Sequence, residues 1–204
     1  MGLVLRRRGQ ISLEFLFVFT ILMIMLLYSA RYVTFKNSTS SQALAIQTVI
    51  EEKSVANVIG GAIDQVYAQG PGSKVTVYAR FSLLRNSEYL KKAFNLTSPV
   101  VYIMLIGENS PLFPPGAMNS VIAVGVANNG GTPVLEGADR TGVWVQTFLR
   151  YNSTTIPEIV VPLSPSTLPP EVKVVVQWDP NRPVAMFYNS TSSTLEINIR
   201  VEGS

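Results

Sequence analysis

The chain contains no cysteine and no histidine. Disulfides, thiolate nucleophiles, imidazole metal sites and a Ser-His-Asp triad are therefore excluded. Catalysis would have to rest on carboxylates, lysine, tyrosine and serine. No carboxylate pair, metal-ligand spacing or nucleophile beside a base stands out among them. This pattern reads as a structural protein with no catalytic residue, metal, cofactor or small-molecule substrate. Charge is also scarce, at 14% of residues against 47% apolar. The formal net charge is +3, from 16 basic and 13 acidic residues. Three of the basic residues are Arg6, Arg7 and Arg8, so beyond residue 9 the two signs cancel. A positive balance confined to so short a stretch offers no basic patch for nucleic acid. A chain near zero net charge associates readily, as fibre subunits do.

What is present is concentrated between residues 6 and 30. Arg6-Arg7-Arg8-Gly9 is followed by Gln10-Ile11-Ser12-Leu13-Glu14, then by an apolar run from Phe15 to Ala30. In an ordinary secretory signal the cleavage site follows the apolar region. Here the junction with the most cleavable composition, Gly9-Gln10, precedes it, so a cut there would leave the apolar run on the mature chain. A cut after Ala30 is the alternative, but Tyr28 is too large for the position it would occupy. The arginines place residues beyond 30 on the outer side of a membrane. Tyr28 and Tyr32 stand where an interfacial aromatic belt would lie. As a helix, Ile11 to Ala30 would rise roughly 30 Å, the thickness of a bilayer core.

Basic residues, Gly9, then Gln10, Ser12 and Glu14 ahead of an apolar stretch resemble the class III signal peptide of archaeal type IV pilins and archaellins. Val18 stands where that pattern commonly has leucine. The resemblance implies a prepilin-type peptidase that recognises Arg8, Gly9 and Gln10 and cuts after Gly9. It implies assembly through Ser12, Glu14, Phe15, Phe17 and Phe19, with Glu14 paired to the new α-amine on Gln10 of a neighbouring subunit. Cyclisation of Gln10 would remove that amine. The implied function is the structural subunit of an adhesive pilus-like filament. The precursor would be held in the cell membrane, and the product would be a homo-oligomeric helical filament outside the cell. A membrane-anchored minor pilin or adhesin, or an archaellin, shares the same leader.

Asn37-Ser38-Thr39-Ser40-Ser41 is a run of poor helix formers, which marks a kink or a new N-cap. Helical spacing resumes over Gln42 to Gln69. Leu44, Ile46, Val49, Ile50, Ala56, Ile59, Ile63, Val66 and Tyr67 form the stripe, and Glu51, Glu52, Lys53 and Asp64 lie between them. Joined to the apolar run, this predicts one helix from about Ile11 to Ala68, roughly 85 to 90 Å long. Gly70-Pro71-Gly72-Ser73 stops it.

Strand patterns follow at Lys74 to Arg80, Val100 to Ile106, Val121 to Ala127, Val143 to Leu149, Ile156 to Val161, Val172 to Trp178, Val184 to Tyr188 and Leu195 to Val201. Ser87 to Phe94 has room for a turn or two of helix. The expected fold is α+β: a long N-terminal hydrophobic helix and a β-sandwich-like head domain. The segments are 1–9 as leader, 10–69 as helix (10–30 as filament core, 31–69 as amphipathic extension) and 70–204 as extracellular head.

The Pro-rich loop 107–116 carries Leu112 and Phe113 as a candidate contact. The Gly-rich loop 128–142, with Glu136, Asp139 and Arg140, lacks the lysine and the following helix of a phosphate loop. Its acids show no regular Ca²⁺ ligand spacing. Asn37, Asn95, Asn152 and Asn189 each begin an Asn-x-Ser/Thr sequon and are candidate glycan acceptors on an exported chain.

Overall fold

The structure is a computed structural model that describes residues 15–28, 37–112, 119–130, 142–152 and 157–201. Two units are distinguished, residues 1–41 and residues 42–204. In the first, helix α1 covers residues 15–28. It carries two hydroxyl side chains, Thr20 and Tyr28, and the Thr20 hydroxyl donates to the Leu16 carbonyl at 2.7 Å. The second unit begins inside helix α2 (Asn37–Gln69) and continues through β1 (Lys74–Arg80), α3 (Ser87–Phe94), β2 (Pro99–Ile106), β3 (Val121–Asn128), β4 (Gly142–Phe148), β5 (Glu158–Leu163), β6 (Glu171–Gln177), β7 (Ala185–Asn189) and β8 (Thr194–Asn198).

The strands form two four-stranded sheets, ordered β1-β6-β8-β7 and β4-β3-β2-β5. The second is antiparallel throughout. The first contains one parallel pair, β6 with β8. The whole second sheet is inserted in sequence between β1 and β6, which pair antiparallel from Lys74↔Gln177 to Arg80↔Glu171.

Helix α2 supplies the third wall of the core. Val55, Ala56, Ile59, Ala62, Ile63 and Val66 are buried together with inward residues of both sheets, among them Ile103, Val124, Val174 and Leu195. Edge strands β5 and β7 adjoin, and α2 runs along the other two edges. Glu51 reaches the segment after β1, accepting from the backbone N–H groups of Ser82 (2.6 Å), Leu83 (2.8 Å) and Leu84 (3.3 Å). On the β4 side, Asn57 Oδ1 accepts from the Thr147 hydroxyl at 2.8 Å, and Asp64 accepts from the Arg150 N–H at 2.7 Å. Lys53 donates to the Gln146 carbonyl. The helix ends where expected: Gly70 has φ +87°, and its N–H donates to the Val66 carbonyl at 3.1 Å. That conformation is open to glycine at little steric cost.

Strands β2 and β3 are buried on both faces, which explains their near-continuous apolar runs. One face joins the main core. The other (Met104, Ile106, Val121 and Ala123) packs with Leu112, Trp144 and Val160. Leu112, a candidate contact residue at the tip of its loop, is thus tucked against the sheet. Phe113 lies outside the described residues.

The long hydrophobic N-terminal helix expected over 10–69 is corrected by the structure. The first described helix has 14 residues and is exposed. At about 1.5 Å per residue it rises roughly 21 Å, short of a bilayer core of roughly 30 Å. Among the described residues no helix is long and apolar enough to cross a membrane. Apolarity alone does not fix helix length. The second helix is no part of a hydrophobic filament helix, because its apolar side from Val55 to Val66 is committed to the core of the head.

Candidate functional site

Of the residues expected at the processing and assembly site, Arg8, Gly9, Gln10, Ser12 and Glu14 lie outside the described residues. Phe15, Phe17 and Phe19 are on α1. Phe15 and Phe19, one helical turn apart, bring their rings to 6.3 Å in a stacked arrangement. Phe17 is two positions from each and faces away from them. Every large side chain of α1, from Phe15 to Tyr28, is between 44% and 70% exposed. A helix that is apolar on all sides is normally a buried one. Because the Thr20 hydroxyl is bonded within the helix, the surface from Phe15 to Leu27 can enter an apolar environment without leaving an unsatisfied polar side chain.

Helix α2 departs from its sequence stripe in two ways. Its C-terminal half matches, with Ala56, Ile59, Ile63 and Val66 fully buried. In its N-terminal half Ile46 and Ile50 are 61% and 64% exposed, and Tyr67 near the far end is partly open. Tyr67 stacks on Trp178 with ring centroids 6.0 Å apart and meets Tyr151 edge-on.

The second departure is Glu52, read from the sequence as one of the polar residues between the stripe positions. It is fully buried, and neither carboxylate oxygen has a hydrogen-bond partner. Loss of hydration pushes its pKa up to about 9, with a smaller contribution from the adjacent Glu51. The signal was available in the spacing. Glu52 precedes Val55, Ala56 and Ile59 by three, four and seven residues, which puts it on the buried face. The two neighbouring carboxylates thus behave oppositely: Glu51 gathers three backbone N–H groups at the surface of the core, and Glu52 enters the core without a partner.

The four sequons occupy different settings. Asn37 opens α2, and its side chain lies outside what is described. Asn95 is the C-cap of α3 in the left-handed conformation, at φ 54°. Asn152 donates its Nδ2 to Glu108 at 2.9 Å, and its Oδ1 is buried. Asn189 closes β7 at an exposed turn. Among the described residues no group of acidic side chains is placed to hold a metal ion. Comparison with protein-family models, with curated proteins and with solved structures finds no match.

Proposed function

We propose that this chain is a structural subunit of a pilin-like surface filament, processed after Gly9 and assembled through its N-terminal apolar segment. The observation that carries this reading is α1, a helix apolar on every face, exposed along its length, with its Thr20 hydroxyl bonded internally. Removing one such side chain from water is worth about 1.5–3 kcal/mol, so a helix of this composition is driven to find cover. Copies of itself are the cover a filament supplies. The order of Arg6-Arg7-Arg8-Gly9-Gln10 ahead of that helix supports cleavage on its N-terminal side, and the near-cancellation of charge beyond residue 9 favours self-association. The head, locked onto α2 by Glu51, Asn57 and Asp64, would then face the medium.

The test is the N-terminus of the mature protein from its native cells, read by peptide mass spectrometry that allows for a cyclised glutamine. The expected first residue is Gln10, and Gly9→Arg should abolish both processing and filaments. A start at Arg31 or at Met1, or unchanged processing of the Gly9→Arg variant, would overturn the proposal.

A further inference from the structure

We propose that Asn189 is the glycan acceptor of the folded head and that Asn152 is not one, although both carry the same sequence signal. The proposal rests on the reading that the head is outside the cell. An acceptor asparagine must present its Nδ2 to the transferase, and the Ser/Thr two residues on must present its hydroxyl, so both side chains have to be free at once. The three sequons of the head differ in this respect.

At Asn152 the Nδ2 is already a donor to Glu108 at 2.9 Å, and the amide oxygen is buried. Modification would break that bond and pull the side chain out. At Asn95 the asparagine is exposed, but the rest of its sequon is fastened. Leu96 is buried. Thr97 donates both its N–H (3.0 Å) and its hydroxyl (3.3 Å) to Asn128 Oδ1. Asn189-Ser190-Thr191 is the opposite case. It forms the turn between β7 and β8, and all three residues are exposed. Asn189 uses only its oxygen, accepting from the N–H groups of Thr191 at 3.0 Å and Ser192 at 3.3 Å. Among the described residues its Nδ2 and the Thr191 hydroxyl make no hydrogen bond. The two N–H groups on Oδ1 draw electron density away from the amide nitrogen, which eases loss of its proton.

The chemistry is a group transfer with no change of oxidation state. The donor class is an oligosaccharide linked through phosphate to a polyprenyl lipid. Nδ2 bonds to C1 of the first sugar, the C1–O bond to phosphate breaks, and the lipid phosphate leaves with that electron pair. One Nδ2 proton passes to a base of the transferase.

The experiment is intact-mass and glycopeptide spectrometry on the protein from its native cells, beside Thr191→Ala and Asn152→Gln variants made in the same host. Thr191→Ala removes the required hydroxyl while keeping the backbone N–H that Asn189 holds, so the turn and the fold are spared. The expected result is a glycan mass on the Asn189 peptide, its complete loss in Thr191→Ala, and no loss of glycan mass in Asn152→Gln. A bare Asn189, a glycan mass retained in Thr191→Ala, or a glycan on Asn152 would overturn the proposal. The same spectra report the N-terminus. A start at Gln10 with a bare Asn189 therefore defeats this inference alone, and a glycosylated Asn189 on a chain starting at Met1 defeats the processing step alone.

Discussion

Glu52 is the residue whose environment fits its chemistry least. A carboxylate with no partner in an apolar interior is held neutral, and its pKa near 9 reflects that. The consequence for stability has a definite sign. Between the ordinary carboxylate pKa and about 9 the folded chain keeps this proton while the unfolded chain has released it. The stabilising contribution is complete below the unfolded pKa and is lost progressively as pH rises through the folded one. The slope is at most about 1.4 kcal/mol per pH unit. The melting temperature of the head should therefore fall from pH 5 to pH 9, and Glu52→Gln, which cannot ionise, should flatten the profile. Parallel profiles for the two proteins would show that Glu52 is solvated or paired in solution. Glu52→Leu removes the buried polar group at similar volume and should raise stability at pH 8 by about 1–3 kcal/mol in a thermal melt. Glu52 was legible by position and illegible by type. Its spacing to Val55, Ala56 and Ile59 is that of the core stripe, but a glutamate is assigned to the wet face by default.

At the scale of the element, α2 is the piece that makes the head a closed structure. It runs along edges β1 and β4, and Glu51 joins it to the chain between β1 and α3 through three charge-assisted hydrogen bonds. Glu51→Ala would strand those N–H groups and should destabilise the head by about 2–3 kcal/mol in denaturant unfolding. An effect below about 0.5 kcal/mol would mean that water serves the N–H groups equally well. Two adjacent glycines give a sharper contrast. A Cβ at Gly61 meets nothing within 4 Å, whereas one at Gly60 would lie 3.0 Å from Thr147 Cγ2 and 3.3 Å from Leu149 Cδ2. Gly61→Ala should stabilise by about 0.5–1 kcal/mol through helix propensity. Gly60→Leu should cost about 2 kcal/mol or more by forcing β4 from the helix. Most elements of the head were legible. The eight strands stand within a few residues of their sequence patterns, because β-branched runs bounded by Gly, Pro and Asn signal locally. The long hydrophobic helix was misread because the apolar run was joined to a second helix whose own apolar side is spent on the head; residues 37–41, read as a kink or a new N-cap, are the first turn of that helix. Spacing reports which face of a helix is apolar, not whether two helices are one. The closing role of α2 was not legible either, since edge-on contacts such as Asn57 with Thr147 join residues far apart in sequence.

At the scale of the whole molecule, the chain divides its physical tasks between two units. Residues 42–204 contain both sheets, the helical wall and a continuous apolar core. The unit of residues 1–41 contains α1, whose large side chains are all exposed. The hydrophobicity of the chain is thus of two kinds. One kind is satisfied within the head by complementary burial, and the other is left to be satisfied by something else. Composition could not separate them, because 47% apolar residues describes both together. The division makes a prediction that does not depend on the identity of the filament. A fragment running from Gln42 to Ser204 retains Glu51, Asn57, Asp64 and every buried residue of the main core. It should fold, remain monomeric without detergent, and melt within about 2 °C of the full chain held in detergent, since no described contact of the core is removed. The full chain without detergent should form large particles in light scattering. Replacing Ile21 and Met25 with aspartate in that chain should restore monodispersity with the head melt unchanged, because two charges on α1 make its burial costly and leave the head core intact. An aggregated fragment would place the self-association in the head. A monodisperse, detergent-free full chain would show that the surface of α1 is covered within a single molecule, and the filament would lose its driving force.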